Sequence, residues 1–384
     1  MKILFPALRY DYGKAERGES LEKRFFFPAL VSTGNDVVPF WLEDHFYGTD
    51  PERLQRALIS YAEKERPDLI FFMLMQGEIF QETLCRLKNF SYTMNWFGDD
   101  QWRFETFSKN YAPLFDIIVT TDIYSILKYH NLGCCNVFLS QWGSPLFFDE
   151  IPTCSGTSSG VASPLVSFVG GYNTVREWYI EKLRKSGIQV ECYGSGWKEG
   201  RVSFDKMASM FKNSVISLNL SNSIPNDLDY LKYLIEKFCK AVAGVNAIEV
   251  NYFYNLKLSI KALISFFRTT KRVEQVKARN FEIPASGGFQ VAQFAPGIEN
   301  YFIPGKEIVL FSSASELGPL VRFYLDNTDI RENIRRAGII RSYDHTYTNR
   351  IQYLLVQIDP LLKTPKATGL GDYPDTKLSP RKGA

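Results

Sequence analysis

Two glutamates eight residues apart, Glu274 and Glu282, bracket a segment dense in groups able to do chemistry. "KARNFEIPASGG", residues 277–288, sets Lys277 and Arg279 ahead of Glu282 and a Ser286-Gly287-Gly288 turn behind it. A carboxylate at a cleft edge accepts hydrogen bonds from two neighbouring hydroxyls at once, as a ribose demands; a hydroxyl side chain does this less well. Lys277 and Arg279 carry the charge to neutralise a diphosphate. The same residues also fit an ordinary solvated helix face, with Arg279 and Glu282 paired at i, i+3 for a few tenths of a kcal/mol.

A second set lies upstream. "SFVGGYNTVREWYIEKLRKSG" from Ser167 is a strand, a Gly170-Gly171 turn and a helix with Arg176 in its first turn. In that geometry free backbone N–H groups and the helix dipole can receive a phosphate, although paired glycines also make plain turns. "CYGSGWKEG", 192–200, with Trp197, fits either the border of a nucleotide or a surface loop. "NWFGDDQWRF", 95–104, offers Asp99, Asp100 and Arg103 between tryptophans, a set suited to sugars, which stack on aromatics and hydrogen-bond to carboxylates. The plain reading of either aspartate is a helix cap. Among the three histidines, His130 reads as helix surface, His45 follows a strand, and His345 reads as an organiser of a C-terminal helix. Asp227 and Asp229 resemble a metal motif only in spacing, and no metal site is expected. No Ser-His-Asp order, HExxH or phosphate-binding Walker sequence occurs.

The elements that must position these residues alternate. An apolar run at 2–8, a helix capped by Ser20 and ending at Gly34, and the strand "DVVPFW" form a β-α-β unit, and the pattern repeats through "DLIFFMLM", "YTMNWF", "FDIIVTT" and "CNVFLS". Strands separated by helical stretches predict a parallel doubly wound sheet, whose ligands bind beyond the carboxyl ends of the strands. In this half those loops are 10–20, 76–79, 98–103 and 141–145. "IPTCSGTSSGVASP", 151–164, reads as a linker. The α/β pattern then restarts with "LVSFVGG", "IQVECYG", "VISLNLS" and "FQVAQF", interrupted at 224–272 by two helical stretches. Between Tyr230 and Arg272 this insert carries Lys232, Lys237, Lys240, Lys257, Lys261, Arg268, Lys271 and Arg272 against Glu236 and Glu249. It could rest on an anionic membrane surface or a partner, or pack its aromatics on the domain with its lysines solvated.

Composition sets the outer limits. At 384 residues two domains are the better expectation. A net charge of +3 is too mild to predict nucleic-acid binding. No signal-like segment or membrane-length apolar run occurs, and six cysteines without metal-like spacing fit reduced thiols, so a cytoplasmic protein is expected.

The C-terminal half resembles the CgeB-like, spore-maturation type of glycosyltransferase, related to glycosyltransferase family 4 of the GT-B fold. "KARNFEIPASGG", "YFIPGKEIVLF", "ELGPLVRFYLDN", "RENIRRAG" and "HTYTNR" carry the resemblance, with "FVGGYNTVREWYIEKL" and "YGSGW" at its beginning, over 163–358. It implies an α/β protein of GT-B architecture, two Rossmann-like doubly wound domains facing a cleft, with the helical insert in the second. The implied layout is an acceptor domain at 1–150, a linker at 151–163, a donor domain at 164–345, a C-terminal helix at 346–363 and a disordered tail at 364–384.

Glu282 then matches the second glutamate of the family 4 E-x7-E motif, which holds ribose, with Gly287 five residues on. Glu274 takes the first position, whose family role is to contact the donor sugar. Eight residues along one continuous helix is about 80° off-face, so the pair works only if Glu274 lies in the loop before the helix. The Gly-Phe-Gly usual between the two is absent here. The resemblance implies sugar transfer from a nucleotide-diphosphate sugar to a glycan, protein or lipid-linked acceptor, without a cofactor or bound metal. Asp99, Asp100 and Glu274 are the candidates at the reacting centre, an aspartate acting as general base if the reaction inverts. Gly170, Gly171, Arg176, Lys277, Arg279, Glu282, Ser286 and Gly287 are the candidates for holding the donor. The rival is a catalytically silent GT-B-like module that binds glycan or nucleotide in surface or spore-coat assembly.

Overall fold

The computed structural model describes residues 1–145, 165–243 and 252–364, so the expected linker and nearly all of the expected tail lie outside the described residues. The first sheet has six strands: β1 (Lys2–Ala7), β2 (Asp36–Trp41), β3 (Leu69–Phe72), β4 (Tyr92–Phe97), β5 (Ile117–Thr120) and β6 (Val137–Leu139). Every pairing is parallel, in the order β2-β1-β3-β4-β5-β6. Ile3, Phe5, Leu69, Phe71, Met94 and Trp96 pack into one layer, while Leu4, Ile70, Phe72 and Phe97 pack into the other. Burial on both faces explains why these strands read as unbroken apolar runs. The crossover helices carry local start signals: Asp50 accepts from Arg53 N–H at 2.9 Å with Pro51 just inside helix Pro51–Glu65.

The second sheet is also parallel, ordered β11-β10-β9-β7-β8, from β7 (Val166–Val169), β8 (Glu191–Tyr193), β9 (Ile216–Asn219), β10 (Gln290–Gln293) and β11 (Val309–Phe311). Strand order reverses between β1 and β3 in one sheet and between β7 and β9 in the other. Each reversal opens a crevice at the carboxyl ends of its strands.

Helix Tyr347–Leu362 follows the second domain but packs on the first: Tyr347, Ile351, Leu354, Leu355 and Ile358 join Phe5, Phe25, Phe26 and Leu30 in one apolar cluster. Tyr347 stacks on Phe25 with ring centroids 5.1 Å apart and planes 2° from parallel. The crossing is pinned at Ser144, whose N–H donates to His345 O at 2.8 Å, whose hydroxyl donates to Ser342 O at 2.9 Å and whose carbonyl accepts from Tyr347 N–H at 3.1 Å. A Cβ on neighbouring Gly143 would stand 2.6 Å from the Tyr347 nitrogen, so the close approach requires glycine.

The insert is two helices, Leu228–Ala243 and Tyr252–Arg268, packed on each other and on the second domain. Tyr230, Leu234, Ala262 and Phe266 belong to that domain's main core, and Tyr230 Oη lies 2.7 Å from Thr174 Oγ1. Lys237 pairs with Glu177. Among the described residues no helix is long and apolar enough to cross a membrane.

Ser20 accepts from Lys23 N–H at 3.0 Å as a cap should, but the chain then makes a π-helical turn, Glu22–Phe26, before helix Phe27–Ser32. A second π-helical turn occupies Phe104–Ser108. Both border the same crevice.

Candidate functional site

Helix Thr174–Lys185 starts at Asn173, whose side chain accepts from Arg176 N–H at 2.8 Å. Arg176 does not reach outward. Its Nε donates to Leu220 O at 3.1 Å and Ser221 O at 3.3 Å, and its Nη1 donates to Gly171 O at 2.6 Å, tying together the ends of β7 and β9. Burial, with Arg279 nearby, brings its pKa down to about 10. The expected phosphate cradle at Gly170-Gly171 is partly spent: Gly170 N–H donates to Tyr193 O at 2.8 Å and Tyr172 N–H to Ser195 O at 2.7 Å. Trp197 Nε1 donates to Gly170 O at 2.9 Å, which gives "YGSGW" the job of clamping the turn.

Glu274 lies in the loop before helix Ala278–Ala285, the one placement that lets it act with Glu282. Its Oε1 accepts from Gln293 Nε2 at 2.9 Å, while its buried Oε2 has no partner among the described residues. Burial lifts its pKa to about 7. Lys277 donates from Nζ to Asn222 Oδ1 at 2.7 Å, and burial, then the charges of Lys271 and Arg176, hold its pKa down to about 7. Three cations, Arg176, Lys271 and Lys277, thus crowd one another, with Glu274 and Asp99 as the carboxylates that act on them. Such a cluster attracts a further anion.

Glu282 is 4% exposed and accepts from Arg279 Nη1 at 2.7 Å, with the guanidinium also over the Phe211 ring at 5.2 Å. The solvated-face reading of this pair is therefore excluded: the carboxylate is buried and the guanidinium is partly covered. Burial raises the Glu282 carboxyl and Arg279 opposes the shift. Tyr347 feels both Glu282 and Glu22, and burial first, then those charges, push its phenol far up. Ser286 donates to Glu282 O at 2.7 Å, and Gly287 adopts φ +83° with its carbonyl held by Arg335 Nη1 at 2.9 Å. These two end the helix and shape its turn.

Asp99 and Asp100 part company. Asp99 lines a cavity of about 250 Å³ at the carboxyl ends of β1, β3 and β4, and its Oδ1 accepts from Gln275 Nε2 of the second domain at 2.8 Å. Asp100 points into the first domain's interior, 1% exposed, with Oδ2 accepting from Thr120 Oγ1 at 2.5 Å and Tyr129 Oη at 2.7 Å. Burial raises it to about 6. The structure places it away from the cavity, as an anchor of the turn that presents Asp99.

Glu22 escaped the sequence reading, which spent that position on the first turn of a capped helix. It lines the cavity from the first π-helical turn, with Asp11, Tyr12, Arg103 and Trp142 also on the walls, and burial lifts its pKa to about 7. The available signal was its place just past the 10–20 loop after β1, at the strand ends where this type of sheet binds ligands.

Further contacts bridge the domains, among them Arg201 to Asp11 at 3.0 Å, Arg24 to Asp205 at 3.1 Å, and Lys271 over the Trp102 ring at 4.5 Å. The histidines stay structural. His345 Nε2 is 2.7 Å from Tyr301 O and burial lowers it to about 4, and His45 stacks on Phe40 at 4.0 Å. Asp227 caps its helix by accepting from Asp229 N–H at 2.7 Å, and among the described residues no group of three or more His, Cys, Asp or Glu could hold a metal ion.

Residues 245–356, under a third of the chain, match a family model described as glycosyl transferase-like. No curated protein sequence matches. Among solved structures, TarM is 9% identical with a TM-score of 0.51, over 81% of this chain and 58% of that chain, so this chain spans little more than half of TarM's length. HepE from Anabaena, solved with UDP and glucose, is 15% identical over 94% of this chain and 100% of that one, with a TM-score of 0.51. Sucrose-phosphate synthase from Thermosynechococcus elongatus is 14% identical over 94% and 98%, with a TM-score of 0.52. The fold is the GT-B fold of glycosyltransferases, and the segment holding Glu274, Lys277, Arg279 and Glu282 is glycosyl transferase-like.

Proposed function

We propose that this chain transfers a sugar from a nucleoside-diphosphate sugar to an acceptor held by the first domain. The observation that carries the reading is the crowding of Arg176, Lys271 and Lys277 beside Glu274, a buried carboxylate with one oxygen unpartnered, at the crevice of the second sheet. A diphosphate fits that charge excess, and the cations stabilise the negative charge that grows on it as the glycosidic bond to the donor breaks. This makes the transfer independent of a bound metal. Glu274 contacts the donor sugar. Glu282, paired with Arg279, accepts from the ribose once the domains part to admit the nucleotide, and closure then excludes water.

The acceptor sits in the cavity lined by Asp99 and Glu22, either of which can take its proton. Asp99 carries an interdomain hydrogen bond that responds to closure. The C-terminal motifs fit the CgeB-like type, acting on a glycan, protein or lipid-linked acceptor in the cytoplasm. HepE, which shares the fold, was solved with UDP.

Thermal shift with a panel of nucleoside diphosphates tests this first step: a ligand at one hundred times its dissociation constant adds about 2.7 kcal/mol to stability. Turnover of the matching nucleotide sugars then separates an enzyme from a silent binding module. No shift with any nucleotide would overturn the donor assignment.

A further inference from the structure

Helix Tyr252–Arg268 turns Ala262 and Phe266 into the second domain's core, with Ser259 buried beside them. At 100° per residue the opposite side carries, in angular order, Phe267, Ile260, Ile264, Lys257, Arg268 and Lys261, all within about 120°. Ile260, Ile264 and Phe267 are 41%, 50% and 70% exposed. Lys257, Lys261 and Arg268 are exposed too, and among the described residues none of them has an ion-pair partner. The helix contains no Asp or Glu. Its outer face is therefore an apolar strip running alongside a strip of cations.

Apolar side chains exposed singly are ordinary, but three aligned at i, i+4 and i+7 form a continuous strip. The second strip says what covers it. On a solvated face, charges of both signs alternate; here every charge is positive and lies along one edge of the apolar strip. A lipid interface has that layout, with anionic headgroups level with the cations and the acyl boundary level with the apolar residues. We infer that this face rests on an anionic phospholipid surface, with Phe267, Ile260 and Ile264 entering the interface and Lys257, Lys261 and Arg268 meeting the headgroups. The paired Lys237, the buried Tyr230 and the core residue Phe266 hold the helices on the domain, so the contact is peripheral and the domain keeps its fold.

The test is sedimentation of the full chain with phosphatidylcholine vesicles, with and without phosphatidylserine, at low and high salt. The wild type is expected to sediment only with the anionic vesicles and to be released by salt. Each cation near such a surface contributes roughly fivefold in partition, so K257Q/K261Q/R268Q is expected to lose on the order of 100-fold. I260S/F267S is expected to fail as well while keeping the wild-type melting temperature. A wild type that stays in the supernatant, or a charge variant that binds as well as the wild type, overturns the inference. So does concentration-dependent self-association without vesicles that I260S/F267S abolishes, which would assign the face to a second copy of this chain.

Discussion

Gln275 Nε2 donates to Asp99 Oδ1 at 2.8 Å, joining the loop that carries Glu274 and Lys277 to the wall of the first domain's cavity. The bond spans 176 residues of sequence and connects the two halves of the proposed site.

Because that bond sets how the two sides face each other, Gln275→Ala is expected to lower turnover of the donor while costing about 1.5 kcal/mol of stability or less. Asp99→Asn behaves alike. Asp100→Ala does the opposite: it leaves the Thr120 and Tyr129 hydroxyl protons without their acceptor in the interior and costs about 2 kcal/mol or more. Urea unfolding beside donor-turnover rates checks the contrast; equal stability losses at Asp99 and Asp100 would count against it.

Because Glu282 is buried and Arg279 only partly so, the two single substitutions are unequal. Glu282→Gln is expected to weaken nucleoside diphosphate binding by about 1.5 to 3 kcal/mol, read by isothermal titration. Arg279→Ala leaves an uncompensated buried carboxylate and is expected to cost about 3 kcal/mol of folding stability. In the double variant most of that loss is recovered, which a double-mutant cycle in urea measures.

Lys277, held down to about 7 against an unfolded value near 10.5, supplies a pH signature. Between those values the unfolded chain binds more protons, so the cost of burying this ammonium falls as pH rises from about 7 toward 10.5. A bound diphosphate restores the ammonium. Binding at pH 8 is therefore expected to take up protons, seen as a dependence of titration heat on buffer ionisation enthalpy, and Lys277→Met is expected to remove the uptake.

Glu22 runs the other way. Its pKa is raised to about 7, so the folded state holds the proton more tightly and this contribution to stability is lost as pH climbs from about 4.5 through 7. Glu22→Gln is expected to match the wild type near pH 4 and to exceed it in stability at pH 8.5, by urea unfolding. If Glu22 takes the acceptor's proton, the same variant also loses transfer at every pH while donor binding is unchanged.

The architecture was legible in the chain because it rests on local periodicity: apolar runs buried on both faces read as parallel strands, and Asp50 and Ser20 announce their turns within three residues. The spacing of Glu274 and Glu282 was legible too, while the placement of Glu274 ahead of the helix was only a condition there, and the structure meets it with a helix that begins at Ala278. What tertiary structure alone decided is where each polar group finds its partner. Arg176 stood in a helix's first turn as expected, yet its Nε is taken up by the carbonyls of Leu220 and Ser221, some forty-five residues on. The plain helix reading paired Arg279 with Glu282, and the packing of Phe211 and Met207 takes that pair off a solvated face by burying its carboxylate. Asp99 and Asp100 are neighbours in sequence, but one faces a cavity and the other Thr120 and Tyr129, because Asp100 is tethered by β5 and the following helix. Sequence order sets periodicity, and so the elements; hydrogen bonds and burial are settled by loops that arrive from distant strands, and no local pattern encodes their meeting.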